Sequence, residues 1–473
     1  MKTTMLTRFT QVTGFSPIWA FLIALAFPAL AARTITGDYA GEIREKAARA
    51  DGNIHVDTPT MIARLAALHI NAYYFLIWHS PSDWDDFRNE FAPAAGEAGI
   101  DAWAYIVPPL ECKPACSLPF GTDYVRWATE VARVSLTQPA VKGLVIDDFN
   151  SNASTFTPQY ANQIYRDAKS VNPKFLIYPL VYWGGAFTSS TYFESYAQAM
   201  DGFIFAYRDE PHTNTFSTET LKDQLATVET ESAAYRKPFL LMVYCAPVQA
   251  DAPTPTSEYI QAVTNAGLQA VRQGKAQGVV TYLLDLRTRA LGASANPAQH
   301  GNGYGMVVAS GKTSPGGYGE LGCLMTFQPG LQSYALTFWH RNGTPKGIQP
   351  SALFMQVIAG TTILWEADAD SGSAAWKSET VSVPAAVARS SNQTLRFVLK
   401  NRAGVDARFI VYFDNLQPQG FSVSDPDFEN PGAWKTCCDN PAFREVVQNF
   451  DPDQPQRLFG ILANIYLNIP NIR

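Results

Sequence analysis

The alternation of short apolar runs with amphipathic stretches between residues 34 and about 286 constrains the fold of this chain more than any other feature. Eight apolar runs long enough for strands recur over roughly 250 residues, separated by helical patterns, with no clear helix after the last run. Strands that alternate with helices pair in parallel, and eight such units at this length predict a closed (β/α)8 barrel. An open doubly wound sheet is the alternative, but no G-x-G-x-x-G motif follows the first run, as a dinucleotide site would require. The barrel is therefore predicted over residues 33–291.

The composition changes beyond residue 291. Residues 292–319 are rich in Gly, Ser, Pro and Asn, which predicts a linker or long loop. Between residues 320 and 420, short runs of strand-forming residues are broken by turn residues, a pattern typical of an antiparallel β-sandwich. Residues 421–473 form a tail with one apolar segment, 458–467. We expect this tail to pack on one of the two domains, and the sequence does not say which.

The first 32 residues predict an export signal. Lys2 and Arg8 give a positive start, residues 19–27 form an apolar run too short to span a bilayer comfortably, and residues 29–31 fit a small-x-small cleavage site. We expect a secreted or periplasmic protein with no membrane contact after cleavage; an uncleaved membrane anchor is the alternative. Export permits disulfides, and Cys112 and Cys116 could close a small loop.

Charge and composition narrow the choice of partners. The chain has 36 basic and 42 acidic residues, a formal charge of -6, and no run of Lys and Arg that could follow a phosphate backbone. A nucleic-acid partner is therefore not expected. The chain contains 10 Trp and 21 Tyr, whose flat rings suit the faces of sugars. Its 6 His show no H-x-x-x-H spacing, so neither a metal nor another cofactor is predicted.

The fourth apolar run, VKGLVIDDFN at residues 141–150, ends in two adjacent carboxylates, Asp147 and Asp148. Catalytic groups of parallel barrels lie at the carboxyl ends of the strands, and cleavage of a glycosidic bond needs one carboxyl group as proton donor and a second as nucleophile or base. We predict that the Asp147/Asp148 pair supplies one role and that Glu210 or Asp209, after the sixth run, supplies the other. Because side chains alternate along a strand, Asp147 is expected to face the barrel axis and Asp148 to sit at the rim.

Other polar and aromatic residues at the ends of the runs are predicted to bind substrate. Aromatic rings there could stack on sugars or simply plug the barrel, His79 could bond a sugar hydroxyl or be structural, and Arg208 more readily pairs with Asp209 than clamps a substrate. Asp285 could orient a partner or pair with Arg287. The predicted substrate-binding residues are Asp38, Tyr39, Trp78, His79, Glu111, Tyr182, Trp183, Tyr207, Arg208, Tyr244 and Asp285.

These residues resemble those of glycoside hydrolases of the barrel type. The segment GLVIDDF is similar to the fourth-strand signature of chitinase-like enzymes, although that pattern carries its catalytic Glu where this chain has Phe149. The resemblance therefore does not extend to the substrate-assisted mechanism of chitinases. The segments YALTFWHRNG at 334–343 and YFDN at 412–415 resemble strands of jelly-roll carbohydrate-binding modules.

Together these observations lead us to expect an exported glycoside hydrolase whose substrate is a polysaccharide or oligosaccharide. A non-catalytic carbohydrate-binding protein on the same barrel is one alternative, since a fold does not guarantee activity. Metal-assisted deacetylation or phosphodiester cleavage by Asp147, Asp148 and His79 is another, which the scarcity of His disfavours. The sugar, the linkage, the stereochemical course and the oligomeric state do not follow from the sequence.

Overall fold

The computed structural model describes residues 33–112, 115–210, 215–246, 254–282, 298–343, 351–369, 375–389, 393–438, 442–451 and 453–469. The predicted export signal and Asp285 lie outside these ranges.

Eight parallel strands close into a barrel. Each strand pairs with the next along the chain, and the last pairs with the first, where Asp38 lies opposite Thr281. Nearly every strand residue is buried, as expected for a parallel sheet covered by helices on its outer face. The (β/α)8 prediction is confirmed. The strands are β1 (Ile35–Tyr39), β2 (Ala72–Leu76), β3 (Asp101–Ile106), β4 (Val141–Ile146), β5 (Leu176–Val181), β6 (Phe203–Ala206), β7 (Phe239–Tyr244) and β8 (Gly278–Tyr282).

Helices follow these strands on the outside of the barrel. Several begin at side-chain caps: Asp57 accepts a hydrogen bond from the Thr60 amide, and Thr256 accepts one from the Tyr259 amide. The helices are α1 (Thr58–Ala67), α2 (Asp83–Asp86), α3 (Ala92–Glu97), α4 (Tyr124–Thr137), α5 (Pro158–Val171), α6 (Trp183–Ala186), α7 (Tyr192–Tyr196), α8 (Leu221–Tyr235) and α9 (Ser257–Arg272), with a π-helical turn, Phe87–Phe91, joining α2 to α3. No helix within the described ranges has the length and apolar character needed to cross a membrane.

The second domain consists of two antiparallel sheets packed around one apolar core, which confirms the predicted sandwich. One sheet has the order β14-β11-β16-β9-β19, and the other has the order β13-β12-β15-β10-β17 with β18 also paired to β10. The elements are β9 (Gly303–Lys312), β10 (Gly317–Phe327), β11 (Tyr334–Asn342), β12 (Leu353–Ala359), β13 (Thr362–Asp368), β14 (Lys377–Val383), α10 (Ala385–Ala388), β15 (Thr394–Asn401), β16 (Asp406–Gln419), β17 (Phe421–Val423), β18 (Lys435–Cys438) and β19 (Phe443–Asn449).

The stretch predicted as a linker, 292–319, contains β9, an interior strand of its sheet, and the start of β10. Two glycines of this stretch, Gly303 and Gly305, lie in β9 where Phe428 packs closely against the strand. A Cβ atom on Gly303 would lie 2.3 Å from the Phe428 carbonyl oxygen, and one on Gly305 would lie 2.5 Å from the Phe428 ring. Glycine in a strand often marks such a close approach, and composition alone cannot distinguish it from a turn.

The tail contacts both domains, so the expectation that it packs on one of them was wrong. Strand β19 pairs with β9 in the sandwich, whereas the last helix, α11 (Gln454–Leu467), joins the apolar core of the barrel. This helix contacts α9, and its Phe459 ring lies 4.1 Å from the Arg64 guanidinium of α1. Helix α11 therefore occupies the place of the eighth helix, which the sequence pattern lacks directly after β8.

Candidate active site

Asp147 lies at the carboxyl end of β4, at the mouth of the barrel. The Tyr39 hydroxyl donates a hydrogen bond of 3.0 Å to its Oδ2, and the Tyr105 hydroxyl donates one of 2.8 Å to its Oδ1. The two tyrosine rings are stacked with centroids 3.8 Å apart, and the Asp148 amide donates a further bond of 2.8 Å to Oδ1. The carboxyl group of Asp147 is thus held by donors from β1, from β3 and from the turn that follows β4.

The carboxyl groups of Asp148 and Glu111 lie close enough to Asp147 to affect its pKa. Burial raises the pKa of Asp147 well above its usual range, and the charges of Asp148 and Glu111 raise it further against the opposing tyrosine hydrogen bonds. Burial and the charge of Asp148 raise the pKa of Glu111, in the turn after β3, to about 7. A carboxyl group with this pKa still holds a proton near neutral pH, as a general acid must.

The backbone conformation of Asp148 explains how two adjacent aspartates serve one site. Strand β4 ends at Ile146, and Asp148 adopts a φ of 44°, in the left-handed region that non-glycine residues rarely occupy. The turn is held in place by a hydrogen bond of 3.0 Å from the Phe149 amide to the Leu180 carbonyl oxygen. Side-chain alternation, on which the rim position of Asp148 was predicted, therefore stops before this residue. Asp148 is partly exposed and lies close enough to Glu111 to perturb its pKa.

Three more tyrosines line the mouth: Tyr182 directly after β5, Tyr244 at the end of β7 and Tyr282 at the end of β8. The rings of Tyr244 and Tyr282 lie 4.9 Å apart, and Tyr282 lies 5.2 Å from Tyr39. Tyr182 shares a hydrogen bond with Tyr244. Burial raises the pKa of each of these phenols, and the charges of Asp147 and Asp148 add to that effect, so the hydroxyls remain protonated donors. The carboxyl groups are thus enclosed by aromatic rings that carry hydroxyls.

The segment after β6 supplies an ion pair. Arg208 donates a hydrogen bond of 2.8 Å to Glu210, and its guanidinium lies 4.0 Å from the centroid of the Tyr182 ring. The other oxygen of Glu210 accepts a hydrogen bond of 2.8 Å from the Gly184 amide. The partner of Arg208 is therefore Glu210 and not the predicted Asp209. Because both carboxylate oxygens of Glu210 are bound, its geometry suits a residue that positions Arg208.

Three predicted site residues face away from the mouth. Asp209 is fully buried and accepts hydrogen bonds from the Tyr207 hydroxyl and the Thr220 amide at the start of α8. Asp38 is also fully buried, accepts a hydrogen bond from the Thr281 hydroxyl, and its charge acts on Tyr466 of α11. The predicted catalytic role of Asp209 and the predicted binding roles of Asp38 and Tyr207 thus disagree with the structure. They were predicted because they lie at the ends of strands. Position at a strand end does not fix the side on which a side chain lies, and these side chains point into the helical layer.

After β2, Trp78 is partly exposed and His79 is exposed. The Trp78 indole donates a hydrogen bond of 2.8 Å to the Ala115 carbonyl oxygen, and His79 lies 3.7 Å from a carboxylate oxygen of the buried Glu42. Trp183 stacks on Phe187 at 5.7 Å, in the layer outside the strands. Within the described ranges none of these three contacts is made with Glu111, Asp147 or Asp148, so the binding roles of the three side chains stay predictions.

Sequence reasoning missed Tyr105 and Tyr282, which lie inside strands rather than beyond their ends. The available signal was a hydroxyl-bearing residue in the last two positions of a strand. The predicted loop closure at Cys112 and Cys116 is present as a disulfide, directly after Glu111.

Among the residues that the structure describes, one group, His55, Asp86 and Glu90, has the spacing of metal ligands. It lies near α2, and its ligand atoms already bind one another and a cation. His55 Nδ1 lies 2.5 Å from Asp86 Oδ1, and Arg49 donates a hydrogen bond of 3.0 Å to Glu90. These bonds balance the charges of the group, so its geometry does not require an ion.

No family model matches this chain, and no curated protein matches it. Solved structures to which it is similar include a β-D-glucuronidase of Dictyoglomus thermophilum, with 14% identity over 53% of this chain and 43% of that one and a TM-score of 0.37. A calcium-binding mutant of β-glucuronidase 2 from Bacteroides uniformis shows 10% identity over 82% of this chain and 65% of that one, with a TM-score of 0.42. A GH99 endo-α-mannosidase from Bacteroides thetaiotaomicron shows 15% identity over 46% and 63%, with a TM-score of 0.33. This chain spans less than two thirds of each, and the likeness assigns no residue or substrate.

Proposed function

We propose that this protein is a glycoside hydrolase that cleaves a polysaccharide or oligosaccharide at the mouth of its barrel. The observation that carries the proposal is the meeting of Glu111, Asp147 and Asp148 at adjacent strand ends, under a wall of tyrosines. Glycosidic cleavage requires two carboxyl groups in different protonation states on either side of one bond. Burial and the repulsion between neighbouring carboxylates raise the pKa values of Glu111 and Asp147, so these groups can hold protons at a pH at which an ordinary carboxyl group is ionised.

Glu111 is the proton donor to the leaving oxygen in this proposal. Its pKa of about 7 leaves a substantial protonated fraction at neutral pH, and its partial exposure gives it access to a bound ligand. Asp148, also partly exposed, attacks the anomeric carbon or activates water. Asp147 is buried, is held by Tyr39 and Tyr105, and accepts a hydrogen bond from the Asp148 amide, so it positions the turn that carries Asp148. This assignment replaces Glu210 with Glu111 as the second catalytic carboxyl group.

The tyrosine wall supports a sugar rather than another substrate. A pyranose ring has apolar faces that pack on aromatic rings and hydroxyls around its edge that exchange hydrogen bonds with phenols. Tyr182, Tyr244 and Tyr282 offer both groups beside the carboxyl cluster. A phosphodiester would instead find no free cation among the described residues at the carboxyl cluster, because Arg208 is already neutralised by Glu210.

The test is a screen of the purified chain against plant and bacterial polysaccharides, measuring the reducing ends released, with variants assayed on the best substrate. We expect Glu111→Gln and Asp148→Asn each to lower kcat about 10²–10⁴-fold, the usual size for acid/base and nucleophilic groups. The matched control is Glu229→Gln, which changes a carboxylate on α8 that pairs with Lys275, just after α9, and should leave kcat within about twofold.

A second substrate separates the two catalytic roles. A dinitrophenyl glycoside has a leaving group that departs without a proton, so it should restore most of the activity of Glu111→Gln and little of that of Asp148→Asn. If Glu111→Gln retains full activity on polysaccharide, the assigned roles are wrong. If the folded chain binds glycans but releases no product from any of them, the barrel is a binding protein. Release of acetate instead of reducing ends would favour the deacetylase alternative.

A further inference from the structure

Asn152 joins the two turns that carry the proposed catalytic carboxyl groups. It ends the short 3-10 helix that follows β4, Asn150–Asn152, and it is 3% exposed. Its Oδ1 accepts a hydrogen bond of 3.4 Å from the Leu110 amide, and its Nδ2 donates one of 2.9 Å to the Asp148 carbonyl oxygen. Because Leu110 directly precedes Glu111, one buried side chain bonds to the backbone of both turns.

An asparagine suits both partners because its amide group carries an acceptor and a donor in one plane. The Leu110 N–H can only donate and the Asp148 carbonyl can only accept, so these groups fix which end of the amide faces each turn. The backbone of Asn152 is held as well. Its amide donates a bond of 3.1 Å to the Phe149 carbonyl oxygen, and its carbonyl oxygen accepts one of 2.9 Å from the Phe156 amide. The side chain therefore projects from a fixed point.

The turn that carries Glu111 has few other contacts. None of its residues, Pro109–Glu111, is fully buried, and Leu110 is 67% exposed, so packing alone does not hold the turn. Within the described ranges, the carboxyl group of Glu111 accepts no hydrogen bond, and Asn152 is the one side chain bonded to the turn. A segment with few packed side chains depends on its polar anchors. The Asn152 amide therefore sets where the Glu111 carboxyl group lies.

The turn that carries Asp148 has anchors of its own. The Asp148 amide donates a hydrogen bond of 2.8 Å to Asp147 Oδ1, and the next amide along the chain donates one of 3.0 Å to the Leu180 carbonyl oxygen. These bonds do not involve Asn152. Removal of the Asn152 amide should therefore displace Glu111 and leave Asp148 in place.

We propose that Asn152 is a positioning residue that holds the proton donor Glu111 beside Asp148. The proposal rests on the roles given to these two carboxyl groups under the proposed function. A misplacement of about 1 Å at a reacting group can lower a rate about 10²-fold. The disulfide between Cys112 and Cys116 closes the loop directly after Glu111 and limits larger movements, so we expect a loss of this size or smaller.

The charged groups around Glu111 give the displacement a second readout. The charge of Asp148 acts on Glu111, and that of Glu111 acts on Asp147. The phenols of Tyr39 and Tyr282 also face this carboxyl group. Burial and the charge of Asp148 raise the pKa of Glu111 to about 7, whereas a displaced and solvated Glu111 would titrate near about 4.3. The loss of stability that the raised pKa causes as the pH rises should then disappear.

The test uses two variants in the full chain, Asn152→Leu, which keeps the size of the side chain, and Asn152→Ala; both remove the two hydrogen bonds. Asn172→Leu is the matched control, where α5 leads into β5 at the end of the barrel opposite the mouth. Asn172 donates a bond of 2.8 Å to Ser135 Oγ and accepts one of 3.0 Å from the Lys174 amide. We expect both Asn152 variants to lower kcat on polysaccharide about 10–100-fold with KM within about threefold, and the control to leave both constants within about twofold.

A leaving group that needs no proton separates displacement of Glu111 from a general loss of structure. Asn152→Leu should recover most of its activity on a dinitrophenyl glycoside, as Glu111→Gln should, whereas a misfolded variant would stay slow on both substrates. Asn152→Leu combined with Glu111→Gln should be no slower than Glu111→Gln alone, because Asn152 acts through Glu111.

Urea midpoints at pH 4.5 and 8 test the same contact without any substrate. The midpoints of the wild-type chain and of Asn172→Leu should decrease over this interval, and Asn152→Leu should show the smaller decrease expected of Glu111→Gln. The proposal is overturned if Asn152→Leu keeps the wild-type pH dependence, or if its kcat falls equally on both substrates. If the wild-type chain releases no product, the proposed function fails, and the urea midpoints still decide whether Asn152 holds Glu111 in place.

Discussion

The position of α11 on the barrel predicts that the barrel loses most of its stability without the end of the chain. Four side chains of this helix lie in the barrel core, namely Leu458, Phe459, Leu462 and Tyr466, none more than 8% exposed. Full burial of one large apolar side chain contributes about 1.5–3 kcal/mol, so the helix contributes about 6–12 kcal/mol as an upper estimate. Domains are stable by about 5–15 kcal/mol. Removing residues 453–473 should therefore bring the barrel to the edge of unfolding, although it leaves all eight strands intact.

A point mutation tests the same reasoning with a matched control on the same helix. Leu462 is fully buried, and Leu462→Ala should cost about 2–5 kcal/mol. Leu467 is 61% exposed, so Leu467→Ala should stay within about 0.5 kcal/mol. Urea titration with pulse proteolysis, in which mass spectrometry assigns cleavages to each domain, reads the barrel separately from the sandwich. Equal unfolding midpoints for the two variants, or an unchanged barrel midpoint after truncation, would show that α11 is not the eighth helix.

Three further predictions concern stability. Burial raises the pKa of Glu111 in the folded state to about 7, above the value of about 4.3 for an unfolded chain. The native state therefore binds more protons than the unfolded state between these values, and the free energy of unfolding should fall as the pH rises from 4.5 to 8. The wild-type urea midpoint should decrease between these two pH values, and Glu111→Gln should remove that part of the decrease. A Cβ on Gly143 would lie 2.3 Å from the Leu176 carbonyl oxygen, so Gly143→Ala should destabilise the barrel by about 1–3 kcal/mol or more in urea. Burial alone would lower the pKa of His55, but its bonds to Asp86 and a second aspartate raise it. The stabilisation that these bonds give the folded state is complete below about pH 6.5, the pKa of an unfolded histidine, and is lost as the pH rises through the pKa of the folded state. His55→Gln should therefore lower the melting temperature more at pH 5.5 than at pH 9.

The fold was largely predictable because periodicity is a local property. Apolar runs such as 141–146 are buried on both faces, and only a parallel sheet covered by helices satisfies eight of them in succession. The linker prediction failed for a different reason. The close approach of Phe428 to Gly303 and Gly305 joins residues more than 120 positions apart, and nothing local distinguishes it from a turn.

The candidate site was predictable in position but not in membership. Strand ends located Asp147, Tyr39 and Tyr244, yet Asp209 and Tyr207 also follow a strand and turn outward. Which side chains face the mouth depends on where each strand stops and how the backbone leaves it, as the positive φ of Asp148 illustrates. A one-residue shift in the register of a strand moves its side chains to the opposite face of the sheet.

The sequence by itself determined that this chain builds a barrel and a sandwich, and that acidic and aromatic residues gather at one end of the barrel. Tertiary structure alone decided that Glu111 joins the aspartates, that Glu210 is bound to Arg208, and that the last helix returns to complete the barrel. The physical reason is the separation along the chain of the residues that interact. Burial patterns and turn signals are written in neighbouring residues, whereas a shifted pKa or a shared core depends on groups that only folding brings within a few ångströms of each other.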